Sequence, residues 1–236
     1  MPPRSRFPPQ LPILYEDRAL VIVDKPPGLP AVPVKGSANP SALSLVAASL
    51  ARTRQRALVV HRIDRFASGI LLFAKTERDR EILVRQFLAH TPVRQYLAVV
   101  RGHLEEPEGT LVHYFRRVGM FQKLRTEKDP DAARAELRYA VERSLRGATL
   151  VRVELVTGLQ NQIRAQFSAI GHAVVGDRKY RPEESSERRI DRVALHAAHL
   201  EFVHPRSEER VSVACQPPRD FETLVRSLSP RGNGRS

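Results

Sequence analysis

The chain of 236 residues contains one cysteine, Cys215, so a disulfide within it is impossible. That suits a reducing compartment, and a cytoplasmic location is expected. No apolar run approaches the roughly 20 residues that a membrane-spanning helix requires, so no membrane association is expected. The first residues, MPPRSRFPPQLP, are rich in Pro and Arg and lack the apolar core of a secretory signal. Neither GxxxxGK[ST] nor GxGxxG occurs, which removes the commonest phosphate-loop and dinucleotide sites. GxSxG is also missing, and Cys215 has no histidine near it in the sequence, so a serine or cysteine nucleophile has no support. His196, His199 and His204 form the one histidine cluster, but on a strand they do not converge on one side, so no metal is expected. There is no internal repeat and no linker-like stretch.

What is present is positive charge. Lys and Arg number 39 against 26 Asp and Glu, giving a formal net charge of +13, and most of the cations are arginine. Guanidinium groups pair with phosphates in forks and stack on bases, so a nucleic acid partner is favoured over a compositional bias toward Arg. Hydrophobic residues make up 42% of the chain, enough for a folded core.

Hydrophobic periodicity predicts a strand pair over 13–23 and a helix over 41–52 capped by Ser41. Strands follow at 57–60 and 70–74, then a helix over 77–90 capped by Thr76. Further strands are expected at 95–100, 110–117, 135–141, 149–156, 194–203 and 209–214. Helices are expected at 161–171 and 221–228, and residues 118–134 read as a long surface loop or hairpin. The pattern predicts an α+β fold: a mixed, largely antiparallel central sheet with flanking helices and a catalytic cleft. One catalytic domain is expected over 13–228, with a flexible lead-in at 1–12 and a disordered basic tail at 229–236.

The most informative segment is HRIDRFASG, His61 to Gly69, set between two apolar runs. Asp64 stands there between Arg62 and Arg65. Charges are rarely placed beside a core for stability alone, because burying them costs several kcal/mol unless they are paired. A carboxylate among guanidinium groups is a candidate nucleophile or base. Ser68-Gly69 reads as the turn that returns the chain to the sheet.

HRIDRFASGILLFAKT resembles the catalytic segment of the RluA-type RNA pseudouridine synthases, whose usual form is HRLDRxTSGLLLxAKT. Ile63 replaces Leu and Ala67 replaces Thr. Four more segments are similar in order and spacing. VIVDKPPGLPAVP (21–33) resembles the family's early strand and KPxGL turn, and RQYLAVVRG (94–102) resembles KxYLAxVxG. LVTGLQNQIRAQFSAIGHAVVGDRKY (155–180) resembles LxTGRTHQIRVHLxxxGHPIxGDxxY, and ALHAAHLEFVHP (194–205) resembles the closing LHAxxLxFxHP. The chain departs from the pattern at Leu159, Gln160, Asn161 and Gln166, which stand for Arg, Thr, His and His. These are hydrogen-bonding or phosphate-contact types, so the departures bear on substrate choice more than on catalysis.

The resemblance implies a stand-alone catalytic domain without the N-terminal RNA-binding module of many relatives. It implies conversion of uridine in ribosomal or transfer RNA to pseudouridine, by glycosidic cleavage, base rotation and carbon–carbon reattachment, with no cofactor and no metal. By the same resemblance Asp64 is the essential carboxylate. It either attacks the anomeric carbon or removes a ribose proton. Arg164 is its basic partner, and Tyr96 stacks on the target base or assists proton transfer from ring carbon 5. Arg62 fills the stack vacated by an extruded uridine. His61 and Arg65 position the loop, Ile163 walls the pocket, and Gln162 belongs to the retained QIR segment among the RNA-binding positions. Lys25, Arg94 and the basic residues of 116–125 are expected phosphate contacts. A monomer is expected. The alternative is a non-catalytic RNA-binding or RNA-folding protein on the same fold. A glycoside hydrolase needs two carboxylates, and only Asp64 stands out.

Overall fold

A computed structural model describes residues 7–8, 10–119, 121–180 and 189–230. The predicted α+β class is what forms, with strands mostly antiparallel. Most of the lead-in (1–6 and 9) and of the tail (231–236) lies outside the described residues. The chain divides into two compact units, one of 1–94 with 196–216 and the other of 95–195 with 217–236. Neither unit is contiguous in sequence, which is why no linker marks the division.

In the first unit β1 (Ile13–Glu16), β2 (Leu20–Lys25), β4 (Ser68–Ala74), β10 (Leu195–Val203) and β11 (Arg210–Ala214) follow one another across a sheet, with β3 (Leu58–Val59) also on β4. β1–β2, β2–β4, β3–β4 and β10–β11 pair antiparallel. β10 pairs with β4 in parallel, His196 opposite Ser68 and Ala197 opposite Gly69. Every residue of β4 is buried. A strand covered on both faces reads as an unbroken apolar run, which is how ILLFA was recognisable. Helix α1 (Ala42–Ala51) lays Val46 and Leu50 against Val21, Val23, Leu71 and Phe73 of the sheet. Its start is fixed by a capping box in which the Ser41 hydroxyl accepts from the Ser44 N–H and the Ser44 hydroxyl accepts from the Ser41 N–H. Helix α2 (Glu77–Leu88) is capped by Thr76, as predicted. Leu11 is buried in the same core and Phe7 packs on it, so residues within the expected 1–12 lead-in contribute to the core.

In the second unit β5 (Val93–Arg101), β9 (Ala148–Leu155), β8 (Ala133–Leu145), β6 (Glu108–Val118) and β7 (Phe121–Arg125) form an antiparallel sheet in that order. The segment 118–134 is therefore largely a hairpin. Helix α3 (Gln162–Ala169) packs Ala165 against Phe115 of β6 and Ala135 of β8. Helix α4 (Arg219–Leu228) buries Phe221, Leu224, Val225 and Leu228, the i, i+3, i+4, i+7 stripe of an amphipathic helix. Arg192 holds its first turn through a bidentate pair with Asp220 at 2.6 and 2.8 Å.

Ser68 and Gly69 are not a turn, as the sequence suggested. They are the first residues of β4, and Gly69 serves a close approach of strands. Its φ is +106°, and a Cβ there would lie 2.2 Å from the Ala197 carbonyl oxygen. Gly69→Ala is therefore expected to destabilise the protein by more than about 3 kcal/mol. Urea unfolding of the purified variant, or its failure to accumulate in folded form, checks this.

Candidate active site

Asp64 opens a β-turn between β3 and β4, closed by the Ala67 N–H donating to the Asp64 carbonyl at 3.1 Å. Asp is a favoured first residue of such turns. Ile63 and Ala67 are buried on either side of it, so the apolar residues anchor the loop while Arg62, Arg65 and Phe66 remain exposed and Asp64 is half-buried. Arg62 makes no hydrogen bond or ion pair among the described residues, which excludes the pairing with Asp64 that would have given it a purely structural role.

The loop is pinned from below by Lys25. Its side chain is 0% exposed, and Nζ donates to the carbonyls of Pro26 (2.9 Å), Leu29 (2.9 Å), Arg65 (3.2 Å) and Ala67 (2.7 Å). Lys25 is thus not a phosphate contact. Its ammonium is enclosed by carbonyl oxygens and joins the 26–29 turn to the Asp64 turn. A second link runs between the same turns: the Gly28 N–H donates to the Arg65 carbonyl at 2.8 Å, and Arg65 Nε returns a bond to the Gly28 carbonyl at 2.9 Å. Arg65 accordingly positions the loop.

His61 also points inward. Its Nε2 accepts the Leu72 N–H at 3.2 Å, and its ring stacks on Phe87 at 4.6 Å between centroids. Burial, with the nearby Arg94 charge adding to it, pushes its pKa down to about 3. His61 is therefore neutral, with Nε2 taken by Leu72 and its ring face by Phe87. Below it, Ser68 Oγ lies 3.0 Å from His196 Nδ1, and His196 Nε2 lies 3.0 Å from the Cys215 carbonyl. A carbonyl only accepts, so the proton sits on Nε2 and Nδ1 accepts from the serine. His199 and His204 go elsewhere, to Ser212 and Asp17.

In the second unit Tyr96 is half-buried on β5, opposite Val153 of β9. Arg164, the third residue of α3, is buried. Its Nε and Nη2 form a fork on the two carboxylate oxygens of Asp177, each at 2.7 Å, and its Nη1 donates to Asn161 Oδ1 at 2.8 Å. Sequence reasoning missed Asp177 as a member of this site, although GDRKY was part of the quoted similarity. Asp177 is also braced by the N–H groups of Lys179 and Tyr180, and the Tyr180 ring faces the Arg164 guanidinium at 5.4 Å.

Gln162 is almost completely buried and its amide is fully used. Nε2 donates to the Glu136 carbonyl (3.0 Å) and to Gln166 Oε1 (2.9 Å), while Oε1 accepts from Thr157 Oγ1 and the Leu159 N–H, both at 2.9 Å. It cannot read RNA, because its hydrogen-bonding capacity closes the 157–162 loop onto β8. Ile163 is buried beside it. The departures from the family pattern mostly fall in this interior. Gln166 is buried and donates to the Leu111 and Ala135 carbonyls at 2.9 and 3.2 Å. Leu159 packs on the Phe115–Ala165 cluster. Asn161 occupies the left-handed region at φ 56°, which Asn tolerates better than most residues. Of the expected phosphate contacts on β6 and β7, Arg116 and Arg125 are paired with Asp131 and Asp129, each at 3.3 Å.

The model of the family described as RNA pseudouridylate synthase matches residues 19–169, a segment that contains Asp64, Tyr96 and Arg164. The chain belongs to the RNA pseudouridylate synthase family. It is 32% identical over 230 residues to a ribosomal large subunit pseudouridine synthase D of Zymomonas mobilis, covering 92% of this chain and 73% of that protein. It is likewise 32% identical over 232 residues to an uncharacterised RNA pseudouridine synthase of Bacillus subtilis, covering 95% and 75%. Among solved structures, human RNA pseudouridylate synthase domain containing 1 superposes with a TM-score of 0.73 at 25% identity, over 100% of this chain and 94% of that one. Human RNA pseudouridylate synthase domain containing 4 shares the fold with a TM-score of 0.76 at 21% identity, over 92% of each chain. As a pseudouridine synthase the protein is an isomerase: the uracil leaves the ribose at nitrogen and rejoins it at carbon 5.

Two outcomes follow from this geometry. Lys25→Met would remove the three N–H donors that its four carbonyl partners share and is expected to lower stability by roughly 2–5 kcal/mol, measurable by denaturant titration. His61 has a folded pKa of about 3 against an ordinary 6.5, so the unfolded chain binds more protons between those values. Its contribution to stability is therefore lost as pH falls below 6.5, at up to about 1.4 kcal/mol per pH unit. His61→Gln, compared with wild type over pH 4–7, should remove that part of the slope.

Proposed function

We propose that this pseudouridine synthase modifies uridine in large-subunit ribosomal RNA, with Asp64 as the reactive carboxylate. The observation that carries the assignment is the placement of Asp64: half-buried on a turn fixed by Lys25, beside an exposed Arg62 that makes no ion pair among the described residues. The choice of RNA is supported by relatives in Zymomonas mobilis, Nitrosomonas europaea and Xanthomonas campestris that carry the name ribosomal large subunit pseudouridine synthase D.

The reaction needs no redox partner and no external group. Asp64 starts it, either by attack on the anomeric carbon or by removal of a ribose proton, and both routes use the ionised carboxylate. Arg164, held by Asp177 and Asn161, is the basic residue that the family resemblance assigns to the reaction. Tyr96 offers a ring to the uracil and a hydroxyl for proton transfer from carbon 5. Arg62 enters the stack that the extruded uridine leaves, since a guanidinium both stacks and binds phosphate. Ile163 contributes an apolar wall. The enzyme acts as a cytoplasmic monomer.

Incubation with unmodified ribosomal RNA, followed by mapping of pseudouridine at single-nucleotide resolution, tests the assignment. Wild type should yield a defined product. Asp64→Asn should abolish it, a loss of at least about a thousandfold, while RNA affinity stays within a few-fold and falls steeply with added salt. Equal product from Asp64→Asn rules out the catalytic assignment, and product confined to transfer RNA rules out the substrate.

A further inference from the structure

The turn that carries Asp64 presents a second side chain to solvent. Phe66, two residues on, is 46% exposed. Its backbone has no freedom to fold the ring inward, because Lys25 holds the carbonyls on both sides of it, Arg65 and Ala67, and the inward position is filled by the fully buried Ala67. A lone exposed phenylalanine is ordinary in itself. The surroundings here are not. Ile63 and Ala67, its apolar neighbours in the turn, are buried and so do not extend the exposed apolar surface of the ring. The other exposed side chains of the turn are two guanidinium groups: Arg62, with no ion pair among the described residues, and Arg65, whose Cζ lies 5.4 Å from the ring centroid.

A rigid aromatic face flanked by cations, beside a reactive carboxylate, has the chemistry that recognises an unpaired base together with its phosphates. We propose that Phe66 is a stacking platform for a nucleobase adjoining the uridine that enters at Asp64. The inference rests on Asp64 being the reactive carboxylate. The platform selects RNA in which the neighbouring base is free to leave its own stack.

The chain contains no tryptophan, so Phe66→Trp introduces a single indole as reporter. Unmodified large-subunit ribosomal RNA should quench its fluorescence at least about twofold by base stacking. Inorganic polyphosphate, which carries the charge without bases, should not. Phe66→Ala should bind the same RNA about tenfold more weakly than wild type, with Phe66→Tyr close to wild type and thermal stability unchanged in both. Retention of RNA on filters without quenching, equal quenching by polyphosphate, or wild-type affinity in Phe66→Ala would each overturn the proposal. Asp64→Asn on the Phe66→Trp background separates the two assignments. Quenching that persists while product is lost supports both. Quenching with product still formed leaves the stacking platform and removes Asp64 as its catalytic neighbour.

Discussion

The first unit depends on one buried ammonium group. Lys25 leaves the end of β2 and turns its Nζ onto four backbone carbonyls, two in the 26–29 turn and two in the 65–67 turn. Desolvating an ammonium costs several kcal/mol, and only a full set of acceptors offsets it. That requirement works in both directions. The carbonyls fix the lysine, and the lysine fixes the loops, which are about 40 residues apart in sequence. Asp64 lies between the tethered Arg65 and the buried Ile63, so the placement of its backbone depends on a charge that never meets solvent.

The second unit uses the same physics with different groups. Arg164 is forked onto Asp177 and bonded to Asn161, and Gln162 and Gln166 share a hydrogen bond while bracing Glu136, Leu111 and Ala135. In both units these polar groups are held by other buried groups. Such over-determination keeps a functional side chain from relaxing into the nearest convenient ion pair. His61 follows the same rule: deprived of its charge by burial, it serves as an acceptor for Leu72 and a stacking partner for Phe87.

Local signals in the sequence were sufficient for what local forces decide. Ser41 and Thr76 begin their helices because their hydroxyls meet orphan N–H groups three residues on, and that spacing is visible in the sequence. The apolar run 70–74 declares a strand buried on both faces. Long-range forces were not legible. Ser-Gly is a turn signal, yet Gly69 is there because Ala197, more than a hundred residues later, passes too close for a Cβ. A lysine before Pro-Pro-Gly looks exposed, and only the return of the chain at 65–67 shows that Lys25 is enclosed. The departures at Leu159 and Gln166 looked like changes in substrate contact for the same reason: a sequence does not say which side chains face each other inside a unit.

That last point bears on where specificity resides. A buried position such as Gln162 or Gln166 has no bond left to offer an RNA, so exchanging it changes how the unit packs before it changes what the enzyme reads. The exposed residues around Asp64 are under the opposite condition. Their backbone is fixed by Lys25 and by the Gly28–Arg65 bonds, while the side chains of Arg62 and Phe66 are directed to solvent. Substitution of Arg62 or Phe66 leaves the Asp64 turn in place and alters only the exposed surface. The turn thus combines two conditions that usually conflict: a carboxylate carried on a rigid backbone, and an exposed surface free to vary.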